Sequence, residues 1–389
     1  MKKLLYFNID IVYLIVNIIM ILTFYVCGRN VSRNRNYIKN ALICILVYTL
    51  GLGLRFGRGY DYGHYIDVYI FDLEESQFLF TYFNQWLKSI GVGQHYFFLF
   101  YNLIEITCAF VFLYPYRKYA KYFFPLFMVA TLHLNEYSIR QGLAFSFVFL
   151  CFFFYFKCYE NGNLNIQKRK YILMSLLCAF VSYGIHSMTL IPLLLIFIIS
   201  FFRKPISLYV SITGFLLAYY VFQNAFDITG FNQVLTFMAN NDQKYSQYIE
   251  QSDMWFGASG FDERYNRNPF VKIFETVGNI SLLLLAYKII FKKYMNNRQT
   301  ITLYNAFAIG IILQKTFMNF EILNRVAGTM SIFWYLPLGL VLYNRNDDII
   351  RSCKILKFLL IWWSYEYLKY LFMCGDFCKF LWDTDFFII

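Results

Sequence analysis

Within eleven residues, Arg55 to Tyr65, the chain gathers two guanidiniums, a carboxylate and an imidazole, directly after an apolar run. The stretch reads R-F-G-R-G-Y-D-Y-G-H-Y. Arg55 and Arg58 carry the planar fork of N–H donors that matches phosphate oxygens two at a time. Gly57, Gly59 and Gly63 let a backbone turn and come close to a ligand. Tyr62 and Tyr65 offer ring faces on which a sugar can stack. With Asp61 and His64 beside them, these residues describe a cradle for an anion and a sugar at a membrane surface.

Three further positions extend that chemistry. Arg140 follows N-E-Y-S-I and opens a helix through Gln141 and Gly142, and Arg325 stands in E-I-L-N-R-V-A-G, again at a helix start. Helix N-termini add backbone donors and a positive dipole, so pyrophosphate is the ligand that best matches the set. A single arginine at a helix end serves equally by snorkelling to lipid phosphates; several on one face point to a shared anion. His186 ends an apolar run in S-Y-G-I-H-S, where an imidazole acts as a general base or bonds a neighbouring helix. Asp61 and Glu136 compete with it as bases, and Asp61 can instead hold Arg55 or Arg58 in place.

The elements that must position these groups are membrane helices. Of 389 residues, 59% are hydrophobic and 15% charged, against about a quarter charged in an ordinary soluble domain. Apolar runs predict spans near 8–27, 38–54, 95–115, 121–135, 141–157, 170–186, 188–202, 206–226, 269–290, 300–317, 327–343 and 355–373. The expectation is therefore an all-α, polytopic transmembrane helical bundle of about 12 spans forming a single integral membrane domain over residues 1–389. The amphipathic stretch Phe78 to Leu87 is expected to lie along the interface. No small-residue cleavage site precedes Cys27, so the first run is expected to be retained.

Basic loops set the orientation. Placing 28–37 inside puts most lysines and arginines of the short loops on that side and leaves only Glu160, Asp347 and Asp348 of the acids there. Residues 55–65 then face outward with Arg140, His186 and Arg325, as does a long loop, 227–268, between the eighth and ninth spans. Loops of that length are usually functional or disordered.

Other chemistries are disfavoured. The net charge of +12 falls in short clusters between apolar runs, the pattern of topology rather than nucleic-acid binding. Nine scattered cysteines form neither a metal knuckle nor a disulfide framework, although Cys374 and Cys378 can pair if their tail is outside the cell. Gly51, Gly53 and Gly57 loosely imitate a dinucleotide fingerprint, but no strand precedes them. No metal and no cofactor are expected. Glu105, Lys272, Glu275, Lys315 and Glu366, in or near spans, sustain a transporter reading, because such charges are costly and often line pathways.

Three stretches together resemble the EpsG family of bacterial exopolysaccharide and O-antigen (Wzy-type) polymerases: L-R-F-G-R-G-Y-D-Y-G-H-Y, S-I-R-Q-G-L-A from Ser138, and S-Y-G-I-H-S-M-T-L-I from Ser182. Their order and spacing agree with the family over most of the chain, less closely past Asp227. Arg58 and Tyr60 stand where small or apolar residues are expected. The resemblance implies a polymerase at the outer face of the bacterial cytoplasmic membrane. It would join oligosaccharide repeats carried on undecaprenyl pyrophosphate, for O-antigen, capsule or exopolysaccharide. It also implies partners in the same pathway, a flippase and a chain-length regulator. In that setting the arginines Arg55, Arg58, Arg140 and Arg325 would neutralise the pyrophosphate, Tyr62, Tyr65 and the long outer loop would position sugars, His64 and Gln141 would also bind substrate, and His186 or Asp61 would be the base. A lipid-linked oligosaccharide flippase or other transporter, an acyltransferase and an O-antigen ligase are the alternatives; a ligase shares the pyrophosphate leaving group.

Overall fold

A computed structural model describes residues 11–59, 61–73, 77–160, 163–164, 168–222, 269–318, 321–351, 355–373 and 379–380. The long loop 227–268, Tyr60, and Cys374 with Cys378 lie outside the described residues. The chain divides into two units: the first holds residues 1–194, 342–345 and 363–389, the second 195–341 and 346–362.

The first unit contains α1 (Ile11–Ser32), α2 (Tyr37–Gly53), α3 (Tyr62–Phe71), α4 (Phe78–Ser89), α5 (Phe97–Leu113), α6 (Ala120–Tyr137), α7 (Ile139–Lys157) and α8 (Arg169–Ile185). The division falls within α9 (Leu190–Ile199). The second unit contains α10 (Leu208–Tyr220), α11 (Pro269–Lys293), α12 (Arg298–Thr316), α13 (Glu321–Ser331) and all but the last two residues of α14 (Tyr335–Tyr343). A short α15 (Asp348–Arg351) precedes α16 (Ile355–Met373). The only extended pieces among the described residues are two-residue pairs: β1 (Arg55–Phe56) with β4 (Lys379–Phe380), and β2 (Tyr159–Glu160) with β3 (Asn163–Leu164), both antiparallel.

The protein is an all-α membrane protein, and its burial pattern suits lipid as solvent. Leu22, Leu46 and Leu176 are 56–63% exposed on helix faces, whereas Asn17, Arg55 and Arg58 are completely buried. Water would not tolerate so much apolar surface on so many helices. Five stretches are long and apolar enough to cross a bilayer: Val12–Ser32, Phe97–Tyr137, Ile139–Lys157, Pro269–Lys293 and Leu323–Tyr343. The stretch Phe97–Tyr137 is 41 residues long and holds two of the expected spans, joined by a 3₁₀ turn over Tyr114–Tyr119. Shorter apolar helices are Tyr37–Gly53, Ser187–Ile199 and Leu208–Tyr220.

Helix starts follow local chemistry. The side chains of Asn36, Ser207 and Asn297 each accept a hydrogen bond from the backbone three residues on, capping α2, α10 and α12. In the first unit α1 packs on α2 and α6, α2 on α5, α5 on α7, and α7 on α8, with α4 against α8. The amphipathic segment is a helix as expected, and Phe80, Asn84 and Leu87 form its buried stripe.

One local expectation is corrected. The motif is not a turn throughout: from Tyr62 it is helical, and Tyr62, Tyr65, Val68 and Tyr69 form the buried face of α3. Their spacing of three, six and seven residues from Tyr62 is that of one helix stripe. Gly57 and Gly59 do adopt left-handed φ values, 74° and 106°, but Gly63 lies inside the helix.

Candidate functional site

Arg58 and Glu136 form the centre of the first unit's polar interior. The two side chains are fully buried, with Arg58 Nε 3.2 Å from Glu136 Oε2. Tyr13 and Tyr370 donate their hydroxyls to the same carboxylate. The guanidinium lies 3.8 Å from the centre of the Tyr13 ring, a cation–π contact strengthened by exclusion of water. Gly59 makes this approach possible. A Cβ there would run into the Glu136 carbonyl oxygen, and the left-handed φ independently disfavours any other residue.

Arg55 is equally sealed. It donates to the carbonyls of Leu52 and Asn135, the latter at 3.1 Å, and lies over the Phe98 ring. Consecutive residues of α6, Asn135 and Glu136, thus hold the two arginines of the motif. Phe98 also stacks on Tyr62, with ring centres 4.6 Å apart, and the Tyr62 hydroxyl is 3.1 Å from His95 Nδ1. Burial lowers the proton affinity of His95 below that of an ordinary imidazole.

These placements correct the reading of residues 55–65 as an open cradle. Arg55 and Arg58 have no exposed surface, because in lipid each guanidinium must be solvated by protein oxygens and rings. The rings of Tyr62 and Tyr65 are packed into the core rather than presented to a sugar. Asp61, at the N-terminus of α3, is half-buried, and His64 is exposed beside the Tyr65 ring.

Arg140 differs. It is half-buried in the first turn of α7, as its motif leads one to expect, and its guanidinium lies 5.6 Å from the centre of the Phe80 ring. Phe80 in turn packs edge-on against Tyr65 and lines a groove of about 360 Å³. The groove wall comes from four helices: Leu79, Tyr82 and Phe83 of α4, Ile104 of α5, Leu143 and Phe147 of α7, and Val181 and Ile185 of α8. Its size falls in the range of about 300–1,000 Å³ typical of ligand sites, and its wall is almost wholly apolar.

Polar residues stand next in sequence to the segments that line the groove. His186 follows Ile185 directly, half-buried, and its Nδ1 accepts from the Met188 backbone at 3.3 Å. Gln77, just before α4, exchanges two hydrogen bonds of 3.1 Å with Ser187 and fastens the start of α4 to the turn after α8. Gln141 is buried beside Arg140. Arg325 belongs to the second unit, where it is exposed on α13. The structure therefore brings Arg55 to Arg58 through α6 and Arg140 to Tyr65 through Phe80.

Sequence reasoning missed Tyr13, Asn135 and Tyr370, which complete the polar interior. No local signal marks them, since Tyr13 and Tyr370 lie 123 and 234 residues from Glu136. The second unit has its own buried pair, Lys315 with Glu275, whose other oxygen accepts from Tyr219 at 2.6 Å.

Helices with lipid-facing apolar flanks and ion pairs buried in the interior define a polytopic membrane protein. The chain belongs to the EpsG family, whose model matches residues 38–378. EpsG-like proteins are of the exopolysaccharide and O-antigen polymerase type, which makes this a polymerase-type membrane protein of polysaccharide biosynthesis. No curated protein and no solved structure matches the chain significantly.

Proposed function

We propose that this protein joins oligosaccharide repeats carried on undecaprenyl pyrophosphate, at the outer face of the bacterial cytoplasmic membrane. The observation that carries the reading is the juxtaposition of the Arg140 guanidinium with a groove that only apolar chains can fill. An isoprenoid chain suits the groove wall, and its pyrophosphate would then sit at the rim, against Arg140.

In the reaction, the acceptor hydroxyl oxygen bonds to the anomeric carbon as the bond from that carbon to pyrophosphate breaks. The electron pair leaves with the pyrophosphate, and Arg140 stabilises the charge that develops there. The hydroxyl proton passes to a base, for which His186 just past the end of α8 and Asp61 at the start of α3 are the candidates. Arg55 and Arg58 act behind the site, holding α6 against the motif that leads into α3. Gln141, Arg325, Tyr62, His64 and Tyr65 were assigned to substrate by resemblance. Of these, Tyr62 and Tyr65 serve by packing in this reading, and the exposed His64 meets a sugar. A flippase would supply the repeats, and a regulator of the same pathway would set chain length.

The test is elongation by the purified full-length protein given lipid-linked repeats. A ladder of longer glycans, lost in Arg140→Ala at unchanged protein level and thermal stability, supports the reading. A native ladder from the Arg140→Ala protein sinks it.

A further inference from the structure

A second polar feature lies inside the first unit, at Glu105 on α5. Its side chain is 3% exposed, and neither carboxylate oxygen has a hydrogen-bond partner. Arg55 is within electrostatic reach but gives its N–H groups to carbonyls instead. Beside the carboxylate is a small cavity of about 10 Å³, lined by Glu105, Thr131, Asn135, Gly142 and Ser146 among others. That is room for a single water-sized sphere.

Both hydroxyls that line this cavity give their hydrogens to backbone carbonyls. Thr131 donates its hydroxyl proton to the Phe127 carbonyl at 3.0 Å, and Ser146 donates to Leu143 at 2.6 Å. The Asn135 amide nitrogen donates to the Tyr48 hydroxyl, which leaves its oxygen for the cavity. Asn135 Oδ1 and Glu105 Oε1 converge there: they lie 2.7 and 3.1 Å from the point where a Gly142 Cβ would stand, with the Leu134 carbonyl oxygen 3.2 Å from it. Oxygen acceptors facing one another in a dry interior repel unless something positive sits among them.

We propose that this cavity binds one dehydrated alkali cation, of sodium's size, coordinated by Glu105, Asn135, Leu134 and the hydroxyl oxygens of Thr131 and Ser146. An all-oxygen shell with one carboxylate suits a hard monovalent ion. Among the described residues no three His, Cys, Asp or Glu side chains gather, so the donor set is wrong for zinc or iron. Gly142 is the residue that keeps the space open, which gives the glycine of the S-I-R-Q-G-L-A motif a ligand-binding reason. The inference is independent of the polymerase reading.

The experiment uses the full-length protein in lipid nanodiscs, in choline chloride exchanged stepwise for NaCl, LiCl or KCl at constant ionic strength. The expected result is a saturable rise of the unfolding temperature in sodium, about 3 °C at ten times the half-saturating concentration. The rise is smaller in potassium and vanishes in Glu105→Gln and Gly142→Ala. Equilibrium binding of radioactive sodium to the native protein should show one ion per chain, and this measurement stands even where a variant fails to fold. Equal unfolding temperatures in sodium and choline with no bound sodium mean that the cavity holds water alone and overturn the proposal. So does a sodium response that survives unchanged in Glu105→Gln.

Discussion

Arg58 and Arg140 are the same residue in the same unit, yet their surroundings assign them opposite work. Arg58 is walled in by Glu136, Tyr13 and Tyr370, with no surface left for a ligand. Arg140 is half-buried over the ring of Phe80, a residue that lines an apolar groove. An arginine near a membrane helix end is thus not automatically a substrate contact. In the proposed reading, what separates the two guanidiniums is access: Arg58 has no exposed surface, whereas Arg140 keeps part of its own.

The contrast is sharpest in stability. Arg58→Ala leaves the Glu136 carboxylate buried without its cation, and breaking such a pair costs about 3–5 kcal/mol. Thermal unfolding in nanodiscs should fall steeply for Arg58→Ala and stay within about 0.5 kcal/mol of the native protein for Arg140→Ala. Activity should show the reverse asymmetry per folded molecule. Comparable destabilisation by both changes would erase the distinction drawn here.

A somewhat smaller loss is expected at Gly59. Alanine there must adopt a left-handed φ and push away the Glu136 carbonyl, which opens the wall around Arg58. We expect a cost of about 1–3 kcal/mol, typical of a strained backbone position. Gly63→Ala, which meets nothing within 4 Å, should be neutral by the same unfolding measurement.

On the Arg140 side, filling the groove tests its use directly. Phe147→Trp adds ring volume to the wall at a packing cost of about 1–3 kcal/mol. It should raise the concentration of lipid-linked repeat needed for elongation while a short-chain isoprenoid donor is still accepted. Equal response to long and short donors would argue that the chain lies elsewhere.

The smallest effect concerns His95, which joins the two regions through Tyr62 and Phe98. Its proton affinity is lowered in the folded protein from the ordinary value of 6.5, so below that pH the unfolded chain binds the proton more readily. Stability should therefore be full above about pH 6.5 and decline as pH falls through the interval below it. His95→Gln should flatten that slope; an unchanged slope would place the titrating group elsewhere.

Particular residues show how far the sequence could be read. Arg140 at the first turn of α7 and His186 just past the end of α8 were legible, because apolar run length and flanking polar residues mark where membrane helices begin and end. The helix in the second half of the Arg55 to Tyr65 motif was hidden by its glycines, which suggest a turn until the stripe Tyr62, Tyr65, Val68 and Tyr69 is traced. The burial of Arg55 and Arg58 was not legible at all. Their partners Asn135 and Glu136 stand 80 and 78 residues away, and neighbouring positions carry no trace of them.

The order of apolar runs, by itself, determined that this chain is a helical membrane protein, because hydrocarbon admits only segments whose backbone bonds are satisfied internally. It also determined that arginines, glycines and a histidine collect at helix ends. Only the tertiary structure decided which of those arginines are sealed among internal oxygens and rings and which one meets a ring of the apolar groove. That choice depends on side chains brought from distant helices, and the solvation of a buried charge is a property of the packed neighbourhood rather than of the segment that bears it.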